Sequence, residues 1–167
     1  MLKLSLLVAC ESALINQRTG NLSFIEVIET INMPRPLFGG DGEPSWAPLF
    51  VPMKVVSIFD WSDMDIADRN APLQVRFRVR TPDGNTHIQP NDAPFDSEPP
   101  IAPATRSRVE WVFVGFPLTV PGDYYIEVAH DDTVLGEYKV LVLGFDLQAS
   151  EQPYSGAAVQ QEQATAK

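Results

Sequence analysis

Apolar and polar residues alternate along most of this chain, and the alternation predicts its elements. At the N-terminus Leu2, Leu4, Leu6, Val8 and Cys10 share one parity, and Lys3, Ser5, Leu7, Ala9 and Glu11 the other. A period of two marks a half-buried strand. It predicts a first strand with Cys10 in the core and Glu11 pointing out. Thr19-Gly20-Asn21 then signals a turn between two apolar runs, hence a hairpin. Its second arm has two readings. Phe24, Val27, Ile28 and Ile31 keep helical spacing, with Ser23 and Glu26 placed as a capping box. Five of the eight residues from Phe24 to Ile31 are β-branched, however, and this favours a strand with a bulge near Glu26 or Glu29.

Pro48 to Asp60 reads as another strand. Pro52 lacks an N–H, so that strand belongs at a sheet edge or carries a bulge there. Leu73 to Arg80 alternates most cleanly, with Leu73, Val75, Phe77 and Val79 on one face and Gln74, Arg76, Arg78 and Arg80 on the other. Pro82-Asp83-Gly84 ends it as a turn. Arg108 to Gly115 alternates again, with Val109, Trp111 and Phe113 together. Pro121-Gly122 and then Asp131-Asp132 each turn the chain into a strand of one hairpin, and Tyr138, Val140 and Val142 share a face of the second. These runs predict an all-β protein: a two-sheet antiparallel immunoglobulin-like sandwich of seven or eight strands, with a β-barrel as the alternative.

The 15 prolines sharpen this picture, because helix interiors exclude them and they cluster between the strands. Residues 1–147 form one expected domain, with long loops at 33–47 and 82–106. From residue 148 the chain turns to Gln, Ala, Ser and Glu, and 148–167 is expected to be a disordered tail. A net charge of −10 disfavours a nucleic-acid partner, whose phosphates are bound by Lys and Arg. The single cysteine rules out a disulfide within the chain. No apolar run approaches the ~18 residues that cross a bilayer.

Candidate chemistry is sparse. Leu7-Val8-Ala9-Cys10 matches a lipoprotein cleavage box, which would anchor the protein through Cys10. Such a signal needs a basic segment and about 7–15 apolar residues. Here only Lys3 is basic, and Ser5 interrupts the six residues that separate it from Cys10. The strand reading is therefore preferred. Cys10 with His87 or His130 makes a poor catalytic pair, because a thiol among leucines resists ionisation. Asp60, Asp63, Asp65 and Asp68 could hold calcium, which takes six to eight oxygen ligands. They could equally cap a short turn. Arg76, Arg78 and Arg80 make a basic stripe suited to an acidic partner or a phosphate, or else pair across strands with Glu110 or Glu127. Phe38 and Trp46, in a glycine-rich loop, could anchor a partner or fold back over the sandwich end.

Two segments carry a resemblance: "CESALINQRTGNLSFIEVIETINMP" at Cys10 to Pro34 and "PGDYYIEVAHDDTVLGEYKVLV" at Pro121 to Val142. Together they resemble a family of small uncharacterised bacterial proteins known as a domain of unknown function. Its members look like single β-sandwich domains that begin with a short apolar strand, a Cys-Glu pair and a hairpin ending in Leu-Ser. The resemblance covers the layout of most of Leu2 to Leu143 and implies a bacterial, cytoplasmic sandwich with no activity to carry over. The aromatic and proline-rich loops, with no credible catalytic set beside them, make the expected function a non-enzymatic module that binds another protein or itself. The alternative is a calcium- or carbohydrate-binding module built on the acidic 60–68 loop and Trp61. No cofactor other than calcium, no nucleic acid and no membrane is expected.

Overall fold

The computed structural model describes residues 2–16, 18–19, 21–39, 44–64, 72–89, 93–101, 104–130 and 132–146, with backbone alone for 50–52. Ten strands run through them: β1 (Lys3–Ile15), β2 (Leu22–Val27), β3 (Thr30–Pro34), β4 (Ser45–Asp60), β5 (Leu73–Arg80), β6 (Thr86–His87), β7 (Phe95–Ser97), β8 (Arg106–Leu118), β9 (Gly122–His130) and β10 (Thr133–Phe145). Two sheets face each other, one ordered β2-β1-β4-β8 and the other β3-β10-β9-β5-β6 with β7 also beside β5. The fold is the expected all-β sandwich, and not the alternative barrel. Its strand count exceeds the expected seven or eight, because the second hairpin arm splits in two and the 82–106 segment contributes β6 and β7. Nor is it wholly antiparallel: β3 runs parallel to β10.

The core explains why the sheets stay together. Val75, Phe77 and Val79 of β5, Trp111 and Phe113 of β8, and Tyr124, Ile126 and Val128 of β9 are all buried in it. Phe77 stacks on Trp111 at 5.1 Å, and contacts run on through Phe113 and Phe116 to Tyr124. Such aromatic pairs add about 1 kcal/mol each beyond the area they bury. The Tyr124 hydroxyl donates to Val120 O at 2.6 Å and accepts from Thr119 N–H, pinning the turn before β9. A tyrosine tied to backbone a few residues upstream is a recurring brace of such sandwiches.

The N-terminal strand departs from the sequence reading. Leu4 lies opposite Phe59, but Leu6 lies opposite Ile58, so Ser5 is an inserted residue. A bulge reverses which parity faces the core. Leu4, Leu7 and Ala9 pack into the inter-sheet core, whereas Leu6, Val8 and Cys10 turn to the sheet's other side. Cys10 is buried as expected, but not in that core. It lies with Val56, also without exposure, on the outward face.

The hairpin covers this face. β1 pairs with β4 only up to Cys10 and with β2 only from Cys10 onward. A straight strand would hold Ile15 about 30 Å from Leu6, which pairs with Ile58. Instead Ile15 and Leu22 line a cavity of about 210 Å³ with Ile58, Arg106 and Arg108. β1 therefore bends sharply past Cys10, and the hairpin lies back across the sheet.

The expected break near Glu26 or Glu29 is a change of sheet. Glu26 has φ 51°, a left-handed conformation that side chains disfavour. Ile28 N–H still bonds to Ala9 O, while Glu29 O already accepts from Leu141 N–H in the opposite sheet. Pro52 sits in a strand flanked by two others, yet β1 reaches only residues 54–60 of β4. The remaining half has β8 alone, with a register break between Pro48 and Met53, so the missing N–H disturbs no ladder there.

Glu26 also presses on its neighbour: a hydrogen bond and the charge of Glu26 push the Glu11 carboxyl above its ordinary range. Glu26→Gly should therefore stabilise the protein, by about 1 kcal/mol from the backbone alone. Urea unfolding at neutral pH would show the midpoint rise, and an unchanged or lower midpoint would contradict the strain.

Candidate functional site

On β5 the even-numbered residues face away from the core, and the pairing with β9 decides what each arginine meets. Arg78 lies opposite Glu127, Arg80 opposite Tyr125, and Arg76 opposite Ala129. Glu127 is 5% exposed, so its carboxylate must be paired to be tolerated there. Arg78 Nε donates to Glu127 Oε2 at 3.0 Å and Arg80 Nε to Glu127 Oε1 at 2.8 Å. Arg80 also donates to Glu137 Oε2 at 2.9 Å and lies 4.2 Å above the Tyr125 ring. The cross-strand pairing with Glu127 is thus realised. Glu110 belongs to the other sheet and pairs with Arg108 and Lys54 instead.

Arg76 differs from its two neighbours. Among the described residues it makes no ion pair. It opens into a groove of about 430 Å³ lined by Gln74, Arg76, Arg78, Ile88, Pro94, Ala129 and Asp132. The groove forms where the ladder is interrupted: β6 pairs with Val79 and Arg80, β7 with Leu73 to Val75, and nothing described pairs with residues 76–78 on that side. His130 Nδ1 lies 2.7 Å from Gln74 O and fastens the end of β9 to the groove floor. Gln74 was legible from its parity with the arginines. Ile88 and Pro94 come from a stretch with no period, so no pattern marked them.

The other expected sites are dispersed. Asp60 accepts from Ser62 N–H and pairs with Arg106 at 3.5 Å, and its carboxyl is held low first by Ser62 and then by Arg106. Asp63 pairs with Lys3, which lowers it likewise. Asp65 and Asp68 lie outside the described residues, among which no three His, Cys, Asp or Glu side chains gather as metal ligands do. Trp61 is fully buried with its Nε1–H on Ser107 Oγ at 2.7 Å, so it offers no face to a sugar. Phe38 packs on Gly144, where an added Cβ would come within 3.2 Å of its ring. Trp46 is half-buried on β4 opposite Pro117, a strand position where a loop was expected. Burial, and then Glu110, push the Cys10 thiol up. No described helix is long and apolar enough to cross a membrane.

A model of a family of unknown function, DUF6941, matches residues 49–143. The chain belongs to this family. The match takes in β5, β8, β9 and β10 as far as Leu143, while Cys10–Pro34 lies before it. No curated protein matches the chain. Among solved structures, an immunoglobulin-like protein from Pseudomonas aeruginosa is similar at 16% identity and a TM-score of 0.35, over 86% of this chain and 97% of that one. The DUF6941 match places the arginine stripe and its partner strand within the family's own domain.

Glu127→Ala would leave two guanidiniums without their shared carboxylate and should cost about 2 kcal/mol, given that both arginines stay partly hydrated. Chemical denaturation reads this out, and a loss well under 1 kcal/mol would show that the clamp contributes little.

Acid should weaken the fold through Asp60, Asp63 and Asp83. Asp83 is lowered first by the Thr81 hydroxyl and then by Asn85. All three carboxyls sit below their ordinary 3.8 in the folded state. Their contribution is therefore complete above that value and disappears as pH falls through the folded values. The urea midpoint should drop below pH 3.8, and Asp60→Asn should flatten the drop. A wild-type midpoint that held steady well below pH 3.8 would contradict it.

Proposed function

We propose that this chain is a non-enzymatic, cytoplasmic protein-interaction domain, and that the groove around Arg76 takes an acidic segment of a partner protein. The observation that carries this reading is the unmatched guanidinium of Arg76. Beside it Arg78 and Arg80 already share Glu127, so their charge is largely spent within the fold. Arg76 faces Ala129 and keeps its donors for an incoming carboxylate. The unpaired flank of β5 at residues 76–78 suits an extended segment, which could lie beside it as an added strand. Ile88 and Pro94 supply an apolar wall. Asp132 on the rim opposes a second negative charge and would select where the carboxylate sits. In a protein of net charge −10, only a localised basic feature of this kind can attract an acidic chain.

A labelled octaglutamate peptide at low ionic strength tests the groove. Arg76→Ala should weaken its binding about tenfold, Arg76→Glu should abolish it, and Asp132→Asn should strengthen it. Equal binding to wild type and Arg76→Glu would sink the proposal, as would no binding to wild type.

A further inference from the structure

We infer that the outer edge of β8 docks a second copy of this chain, edge to edge and antiparallel, in a register centred on Val109. β8 closes one side of its sheet and pairs only with β4 among the described residues. Trp61 N–H donates to Thr105 O at 2.8 Å and Ser57 Oγ to Val109 O at 3.3 Å, so the odd-numbered residues turn their backbone groups toward β4. The even-numbered ones, Arg106, Arg108, Glu110, Val112 and Val114, turn theirs outward, where nothing described meets them. Among the described residues the edge is closed at Leu118 alone, by Gly39 N–H at 3.0 Å. A row of free N–H and C=O groups is a template for another strand.

The side chains on this strand specify which strand. Val112 and Val114 are 45% and 70% exposed, an apolar stretch with neither lysine nor proline to guard it. Before them come Arg106, Arg108 and Glu110, all on the same outward face. Centred on Val109, an antiparallel pair sets each Arg108 opposite the other copy's Glu110, twice over. The Arg108–Glu110 pair already formed within one chain, at 3.0 Å, becomes half of a four-charge cluster. Other registers are worse. Centring on Arg108 matches Arg106 with Glu110 but sets the two Arg108 side chains face to face, and centring on Glu110 sets the two carboxylates together, contacts that cross-strand pairs disfavour. Centring further along removes both Arg108–Glu110 pairs. Shifting by one residue mismatches both the backbone groups and the faces. The arrangement is a closed two-fold contact, the commonest form of self-association. It lies on the sheet that does not carry Arg76, so it stands or falls separately from the groove.

Sedimentation equilibrium of the full chain, up to about 1 mM, tests it. A reversible dimer is expected. Arg108→Glu and Glu110→Arg should each weaken it about tenfold, and the double exchange should bring it back to within about threefold of wild type. Val112→Lys, at a half-exposed position that leaves the β4 ladder intact, should abolish it even if the charge reversals unfold the protein. Arg76→Glu should leave it unchanged. A chain that stays monomeric throughout the range would overturn the inference. So would a dimer indifferent to Val112→Lys, or one weakened by the double exchange as much as by the single reversals.

Discussion

Between two packed sheets only every second side chain of a strand can be buried, and the surfaces of this molecule follow from where that alternation holds and where it is interrupted. On β5 it holds without a break. Val75, Phe77 and Val79 therefore all reach the core, and Gln74, Arg76, Arg78 and Arg80 are all committed to the opposite face. On β1 it breaks at Ser5, and the apolar residues beyond the break end up on the outward side of their sheet. That misplacement has a structural remedy: the β1–β2 hairpin bends back and covers them. Glu26 supplies the next interruption and moves the chain from one sheet to the other within three residues.

The basic stripe shows how register turns a repeated residue into distinct roles. Three arginines at every second position look equivalent along the sequence. Across the ladder one meets a glutamate, one a tyrosine and one an alanine. Glu127 decides the balance. A carboxylate with so little exposure loses several kcal/mol of hydration and recovers it only if both oxygens are engaged. Arg78 and Arg80 engage one each, which ties β5 to β9 while Glu137 ties the same group to β10. A clamp of this kind fixes the sheet's geometry more than it adds stability. It also leaves Arg76, held by the same strand, in a defined place with its charge unspent.

How much of this the sequence could disclose depended on contrast between the two parities. β5, β8 and the β9–β10 hairpin were legible because polar and apolar residues separate cleanly there. β1 was misleading because both of its parities are apolar past Ser5: Leu6 competes with Leu7, and Val8 with Ala9, so a bulge costs the pattern nothing. The core position expected for Cys10 failed for that reason alone. β6 and β7, of two and three residues, are too short to show a period and are held by β5 rather than by their own propensity. Glu127 was foreseeable as a partner of the stripe, but which arginines it would take required the register. Trp61 looked available beside its aspartates, and only the neighbouring β8 reveals that its indole is sealed against Ser107.

Sheet edges complete the account of this surface. The strands β2, β3 and β6 that end the sheets elsewhere have six, five and two residues, and brevity is itself a guard against stray pairing. β8 has thirteen and lacks that protection. What it carries instead is charge of both signs at alternate positions, followed by two exposed valines. Charge of one sign would repel every copy of the strand in every register. Mixed charge repels most registers and admits the one in which opposite signs meet and no like signs do, so the same three residues that guard the edge against arbitrary strands make it complementary to itself.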